Sequence, residues 1–128
     1  MTDWILIVDD EAMIRENLKA YLEDEGWRVA AFEAVAPALN WLREGGFCRV
    51  CIMDMRLPDM DGNSAIRVLR QLYPRMEFLI HTGSSSYSPP DDLRAIGLDD
   101  SRVYQKPLND MAPLAAAARA LAAREDRP

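Results

Sequence analysis

The sequence predicts an α/β protein: a parallel sheet wound with helices on both faces. Three observations carry that expectation. Short apolar runs alternate five times with helically spaced apolar residues along the 128-residue chain, the pattern of repeated strand–helix units joined by right-handed crossovers. The runs are nearly unbroken rather than alternating, as strands covered on both faces should be. Several of them end in a polar side chain suited to chemistry, and sheets of this class bind ligands beyond the carboxyl ends of their strands.

The elements follow in order. Trp4–Val8 reads as the first strand and runs directly into Asp9-Asp10-Glu11. Ile14, Leu18, Tyr21 and Leu22 then fall on one helical face, with Gly26 placed to close the helix. Trp27–Phe32 is the second strand, and Val35, Leu39 and Leu42 mark a helix that stops at Gly45-Gly46 and tolerates Pro37 in its first turn. Val50–Asp54 is the third strand. Asn63–Tyr73 follows as a helix with Ile66, Leu69 and Tyr73 inward, ended by Pro74. Met76–His81 is the fourth strand, delivering Thr82. The serine- and proline-rich stretch 83–90 is expected to be a mobile loop, followed by a short helix over Asp91–Ile96. Arg102–Gln105 is a short fifth strand that delivers Lys106, and the last helix is expected from about Asn109 to Ala123, with Met111, Leu114, Ala118 and Leu121 on one face.

Composition narrows the function. The length suits one domain, and 49% hydrophobic with 28% charged residues predicts a packed core rather than disorder. A formal net charge of -6 argues against direct nucleic-acid binding. No apolar stretch approaches the roughly 20 residues needed to cross a bilayer. Met1-Thr2-Asp3-Trp4 lacks the basic and apolar regions of a secretory signal, so a cytoplasmic location is expected. Cys48 and Cys51 have C-x-x-C spacing, but strand geometry should send them to opposite faces, and no second pair completes a zinc site; they read as reduced core thiols. His81 precedes Thr82 on a strand and should face the other side, as a packed strand-end histidine.

The strand-end groups together form a phosphoryl-transfer set. Asp9, Asp10 and Asp54 repel one another unless a cation joins them, and oxygen ligands suit Mg²⁺ or Mn²⁺ rather than zinc. Asp54 can attack phosphorus and form an acyl phosphate, while Lys106 and Thr82 offer an ammonium and a hydroxyl to the phosphoryl oxygens. Pro107 fixes the chain as it leaves the strand, and Gly83 keeps the end beside Thr82 open for close approach. Gly62 is expected to let the loop after Asp54 turn back toward the third helix.

At these residues the chain resembles the receiver domains of two-component response regulators. The resemblance runs from Ile5 to about Leu121 and rests on Val8-Asp9-Asp10-Glu11, Met53-Asp54 with Pro58 and Asp61-Gly62, Thr82-Gly83 and Lys106-Pro107. Each piece is weak alone; their order and strand-end placement make the match specific. It implies a flavodoxin-like, doubly wound five-stranded parallel sheet in the order 2-1-3-4-5 with five helices, a receiver domain over residues 1–124, and a polar tail or linker start over 125–128. It further implies that Asp54 is the phosphoacceptor, that Asp10 holds the metal directly and Asp9 largely through water, and that the Arg56 backbone carbonyl is another ligand. Thr82 and Lys106 would contact the phosphoryl group. The implied donor is a phosphohistidine on a sensor histidine kinase or histidine phosphotransfer protein. The implied output is a downstream protein or a missing output domain, engaged through the fourth helix, fifth strand and last helix, with a homodimer of the phosphorylated form as one outcome. Such a domain catalyses only its own phosphorylation and dephosphorylation.

Two positions depart from the family. Val103 stands where an aromatic residue usually lies three positions before the lysine, and Tyr104 should face the other side of the strand, so reordering of the loop after Thr82 is a candidate readout. Arg56 could reach over the phosphoryl site and restrain the hydrolytic water, or be a solvated loop residue. Two other functions fit less well. A Mg²⁺-dependent aspartyl phosphohydrolase of the haloacid-dehalogenase type wants an aspartate where Arg56 stands, and a pseudo-receiver that is never phosphorylated would not need the intact acid, hydroxyl and lysine set.

Overall fold

The computed structural model describes residues 3–124; the tail expected at 125–128 lies outside them. Five strands form one parallel sheet in the order β2-β1-β3-β4-β5: β1 (Trp4–Val8), β2 (Arg28–Phe32), β3 (Val50–Met53), β4 (Glu77–Thr82) and β5 (Val103–Gln105). The helices α1 (Ala12–Asp24), α2 (Val35–Arg43), α3 (Gly62–Leu72), α4 (Asp91–Ala95) and α5 (Ala112–Arg124) alternate with them. The order and the five helices match the expectation.

The sheet divides two apolar layers. On one face Leu6, Val8, Cys51, Met53, Phe78 and Ile80 pack beneath α2, α3 and α4. On the other Ile5, Ile7, Ile52 and Leu79 meet Leu18 and Leu22 of α1 and Leu114, Ala118 and Leu121 of α5. Alternate residues of each strand feed opposite layers, so both faces must be apolar, and the runs read as continuous. Each large side chain removed from water stabilises the fold by about 1.5–3 kcal/mol.

Some boundaries move. Thr82 is the last residue of β4 rather than the first beyond it, Trp27 precedes β2, and a 3₁₀ turn at Asp100–Arg102 appears that periodicity did not indicate. That turn is capped by Asp99, which accepts from the Ser101 amide at 3.0 Å. The last helix starts at Ala112 rather than Asn109, because Asp110 accepts the Ala112 amide at 2.9 Å and makes the first turn there. Met111 therefore lies just before the helix. Gly26 does close α1, in the left-handed region at φ 100°.

The two cysteines correct the strand-parity argument. Both pack in the same layer, because Cys48 lies ahead of β3, where period-two alternation does not yet apply. They are free and buried; burial pushes the Cys48 thiol up to about 12 and Cys51 well above its usual value. Inert core thiols remain the right description.

Candidate functional site

Strand register assembles the site. Val8 is paired with Met53 and with Phe32, so the residues one step beyond, Asp9 and Asp54, lie side by side. The ladder continues past the named strands to hold them: the Asp54 amide donates to Val8 O at 3.0 Å and the Asp9 amide to Phe32 O at 3.0 Å. Thr82 pairs with Gln105, and the Lys106 amide donates to Thr82 O at 2.8 Å. Four strand ends thus bring Asp9, Asp54, Thr82 and Lys106 to one edge, at the point where the winding reverses between β1 and β3.

Lys106 is the centre of the charge arrangement. Its Nζ lies 2.7 Å from Glu11 Oε1, 3.0 Å from Asp9 Oδ2 and 3.2 Å from Asp54 Oδ2. Its side chain is only 7% exposed, as are those of Asp9 (3%) and Asp54 (6%), whereas Glu11 reaches solvent at 56%. Burial alone would lower the ammonium, but hydrogen bonds to Glu11 and Asp9 and the charges of Asp9 and Asp54 outweigh it and hold Lys106 above its ordinary value. Asp54 is raised as well, which for a carboxylate disfavours the charged form. Burial and the neighbouring Asp9 push it up to about 6, against the opposing pull of Lys106 and the Arg56 amide. Asp54 Oδ1 accepts the Met55 amide at 2.8 Å, which orients the carboxyl with Oδ2 toward Lys106.

Asp9, Asp10, Glu11 and Asp54 offer carboxylate oxygens that all lie within 4.8 Å of one another. Oxygen-only donors at that spacing fit a hard divalent cation such as Mg²⁺. Asp10, Asp54, Arg56, Thr82, Gly83, Ser84 and Lys106 border an open cleft of 330 Å³. The sequence-selected residues therefore converge, with Asp9 buried beneath the cleft and Asp10 exposed at its wall.

Four supporting contacts were not foreseen. Glu11 joins Asp9 and Asp54 as a Lys106 partner; Glu11 was visible beside two aspartates, but nothing local pairs it with a residue 95 positions away. Arg15 Nη1 donates to the Asp9 carbonyl at 2.8 Å and steadies the first loop. Asp59, in the loop after Asp54, accepts the Val35 and Ala36 amides at 3.1 and 2.9 Å and caps α2, whose own N-cap residue Ala34 has no side-chain acceptor. Tyr87 Oη donates to Asn63 Oδ1 at 2.6 Å, and its ring packs on the layer that includes Val103.

Gly62 corrects the expected reason for a glycine. Its φ is not positive, so the turn does not demand it. Instead a Cβ there would overlap the Asp54 carbonyl oxygen and come 2.8 Å from Met55 Cα. Gly62 is the close-approach residue that lets α3, capped by Asp61 through Ser64 N at 2.8 Å, press against the strand end carrying Asp54. At Gly83 a Cβ would meet nothing within 4 Å. Val103 and Tyr104 do face opposite layers. The loop expected to be mobile is tied at Tyr87, by the Ser84 amide to Thr82 Oγ1 at 3.1 Å, and by Arg94 to Pro89 O at 2.8 Å and Ser88 Oγ at 2.6 Å.

Comparison with known proteins gives these features a family. The sequence profile of the response regulator receiver domain matches residues 5–119. The chain belongs to that family and is a receiver domain of two-component signalling. It is 33% identical over 96 residues to the virulence transcriptional regulatory protein PhoP of Salmonella typhimurium, an alignment covering 75% of this chain and 42% of PhoP. It is 32% identical over 96 residues to PhoP of Escherichia coli K12, covering 75% and 43%. The matched segment thus covers less than half the length of these curated relatives. Its fold matches a CheY-like receiver domain from Methanospirillum hungatei with a TM-score of 0.80 and 27% identity, covering 100% of both chains. It matches the Thermotoga maritima response regulator TrrA, solved with Mg²⁺ and BeF, with a TM-score of 0.78 and 26% identity, over 94% of this chain and 99% of that one.

Proposed function

We propose that Asp54 is the phosphoacceptor and takes its phosphoryl group from a phosphohistidine on a sensor histidine kinase or histidine phosphotransfer protein. The observation that carries this reading is the buried Lys106 ammonium set between Asp9 and Asp54 at the floor of an open cleft. A lysine so placed offsets charge at the point where a phosphoryl group would be bonded to Asp54 Oδ2. In the transfer a bond forms from that oxygen to phosphorus as the phosphorus–nitrogen bond of the donor breaks, and the electron pair leaves with the imidazole. A carboxyl that titrates at about 6 is mostly ionised at neutral pH and so available as the nucleophile. Thr82 Oγ1 already accepts from the Ser84 amide, which leaves its own hydrogen free to donate to a phosphoryl oxygen. Asp10, Asp54, Asp9 through water and the Arg56 backbone carbonyl would hold Mg²⁺ (or Mn²⁺), which supplies neutralisation of the phosphoryl and carboxylate charges.

Readout through the loop after β4 follows from the same contacts. Drawing Thr82 toward a phosphoryl group alters the acceptor of the Ser84 amide, and the change passes along the segment that Tyr87 ties to Asn63. The face made by α4, β5 and α5 is the surface offered to a downstream protein, an output domain or a second copy. Unchanged amide exchange over residues 83–98 on adding beryllofluoride would sink this loop readout. Arg56→Ala tests the neighbouring side chain: an altered lifetime of the phosphorylated form assigns it to the hydrolytic water, and an unchanged lifetime makes it a plain loop residue.

The phosphoacceptor reading is tested by incubating the protein with Mg²⁺ and acetyl phosphate and weighing it intact. One added phosphoryl group that requires Mg²⁺ and is absent from Asp54→Asn is expected. No adduct in the parent, or an equal adduct in the variant, overturns the assignment.

A further inference from the structure

An ammonium group has three hydrogens to donate and accepts none. Around Lys106 Nζ three carboxylate oxygens stand within reach: Glu11 Oε1 at 2.7 Å, Asp9 Oδ2 at 3.0 Å and Asp54 Oδ2 at 3.2 Å. The lysine is fully engaged before a phosphoryl group arrives, so drawing it onto a phosphoryl oxygen means giving up one of these contacts. We infer that the contact given up is Glu11. Its carboxylate is a displaceable latch, which holds Lys106 in the resting site and is expelled when a phosphoryl group is loaded. The inference rests on the reading of Asp54 as phosphoacceptor and adds a residue that sets how strongly the resting site resists loading.

Burial decides which partner yields. The Asp9 and Asp54 side chains are 3% and 6% exposed, so either one, parted from its cation, would be a buried charge without compensation. The Glu11 side chain is 56% exposed and regains water when it leaves. Its connections make the movement local. The Glu11 amide donates to Asp9 Oδ1 at 2.9 Å, and its carbonyl accepts the Arg15 amide at 2.9 Å, so the backbone stays anchored while the side chain swings. Although Glu11 is the N-cap residue of α1, its side chain caps no amide of that helix. Among the described residues Lys106 is the only hydrogen-bond or ion-pair partner of its carboxylate, and leaving costs no other bond.

Position makes the contact an obstacle as well. Glu11 borders the same cleft as Asp54, Thr82 and Lys106. An incoming oxyanion therefore meets a negative charge on the ammonium it needs. The same carboxylate lies among the acids that could hold a cation. A latch and a metal ligand respond differently to substitution.

The test titrates the whole chain with beryllofluoride at saturating Mg²⁺ and compares the parent with Glu11→Gln and Glu11→Asp. Glutamine removes the charge. Aspartate keeps it but is one methylene shorter, which draws the carboxylate back from Lys106. Both variants should bind beryllofluoride about 2- to 5-fold more tightly than the parent, the worth of one solvent-screened ion pair. Tighter binding in Glu11→Gln alone shows that Glu11 acts only through its field and overturns the latch, as does unchanged or weaker binding in both variants. In a separate Mg²⁺ titration Glu11→Asp should keep most of the parent's affinity. A loss as large as that in Asp10→Asn makes Glu11 a metal ligand and also overturns the latch. A parent that binds no beryllofluoride removes the phosphoacceptor reading and the latch with it, whereas binding in the parent without a gain in the variants removes the latch alone.

Discussion

Asp54→Asn should make the metal-free protein more stable at neutral pH. Asp54 ordinarily would titrate near 3.8 but titrates at about 6 in the fold, raised by burial and by Asp9. Between those values the folded chain binds more protons than the unfolded one, so stability falls as pH rises through the window. The contribution is fully present below 3.8 and gone above about 6. A displacement of about two pH units corresponds to about 3 kcal/mol at most. Because the carboxyl borders an open cleft, solvent screening reduces this to about 1–2 kcal/mol. Asparagine carries no charge at any pH and keeps that stability. Its loss of the Lys106 pairing is already contained in the net upward displacement. In buffer with EDTA, thermal melts at about pH 7.5 should place the variant about 3–8 °C higher, and the gap should shrink toward pH 4.5. Adding Mg²⁺ should raise the parent and leave the variant nearly unmoved. A variant no more stable than the parent at neutral pH, or a gap independent of pH, would refute the electrostatic argument.

Three further outcomes follow from the packing. Gly62→Ala should cost about 1–3 kcal/mol in urea denaturation, since the new methyl overlaps the Asp54 carbonyl and Met55. Asp59→Ala should cost about 1 kcal/mol by removing the acceptor of the Val35 and Ala36 amides, with amide exchange accelerated in the first turn of α2 although the mutation lies in another loop. Tyr87→Phe should cost about 1 kcal/mol through the lost bond to Asn63 and speed exchange in the segment after β4; unchanged exchange there would show that the hydroxyl does not tie the loop.

Much of the fold and of the cleft was legible in the residues themselves. A strand covered on both faces is a continuous apolar run, so Trp4–Val8 and Val50–Met53 declare themselves locally, and the acid, hydroxyl or lysine at each end is read off by position. Parallel pairing then leaves little freedom: once the strands alternate with helices, their carboxyl ends share one edge. Boundaries were less legible where a proline or a capping aspartate competed with periodicity, as at Asp110 ahead of α5 and Pro113 in its first turn.

By itself the sequence determined the class of sheet and placed Asp9, Asp10, Asp54, Thr82 and Lys106 at the strand ends that share one edge. These depend on local runs and on the residue that follows each one. Only the tertiary structure decided that Glu11 shares Lys106, that Asp59 caps a helix from another loop, and that Gly62 is needed for space rather than for its turn. It alone placed both cysteines in one layer and buried both ring nitrogens of His81 with no hydrogen-bond partner among the described residues. Each of those facts is a distance between atoms far apart in the chain, set by how helices settle on the sheet, and no local pattern of residue types encodes it.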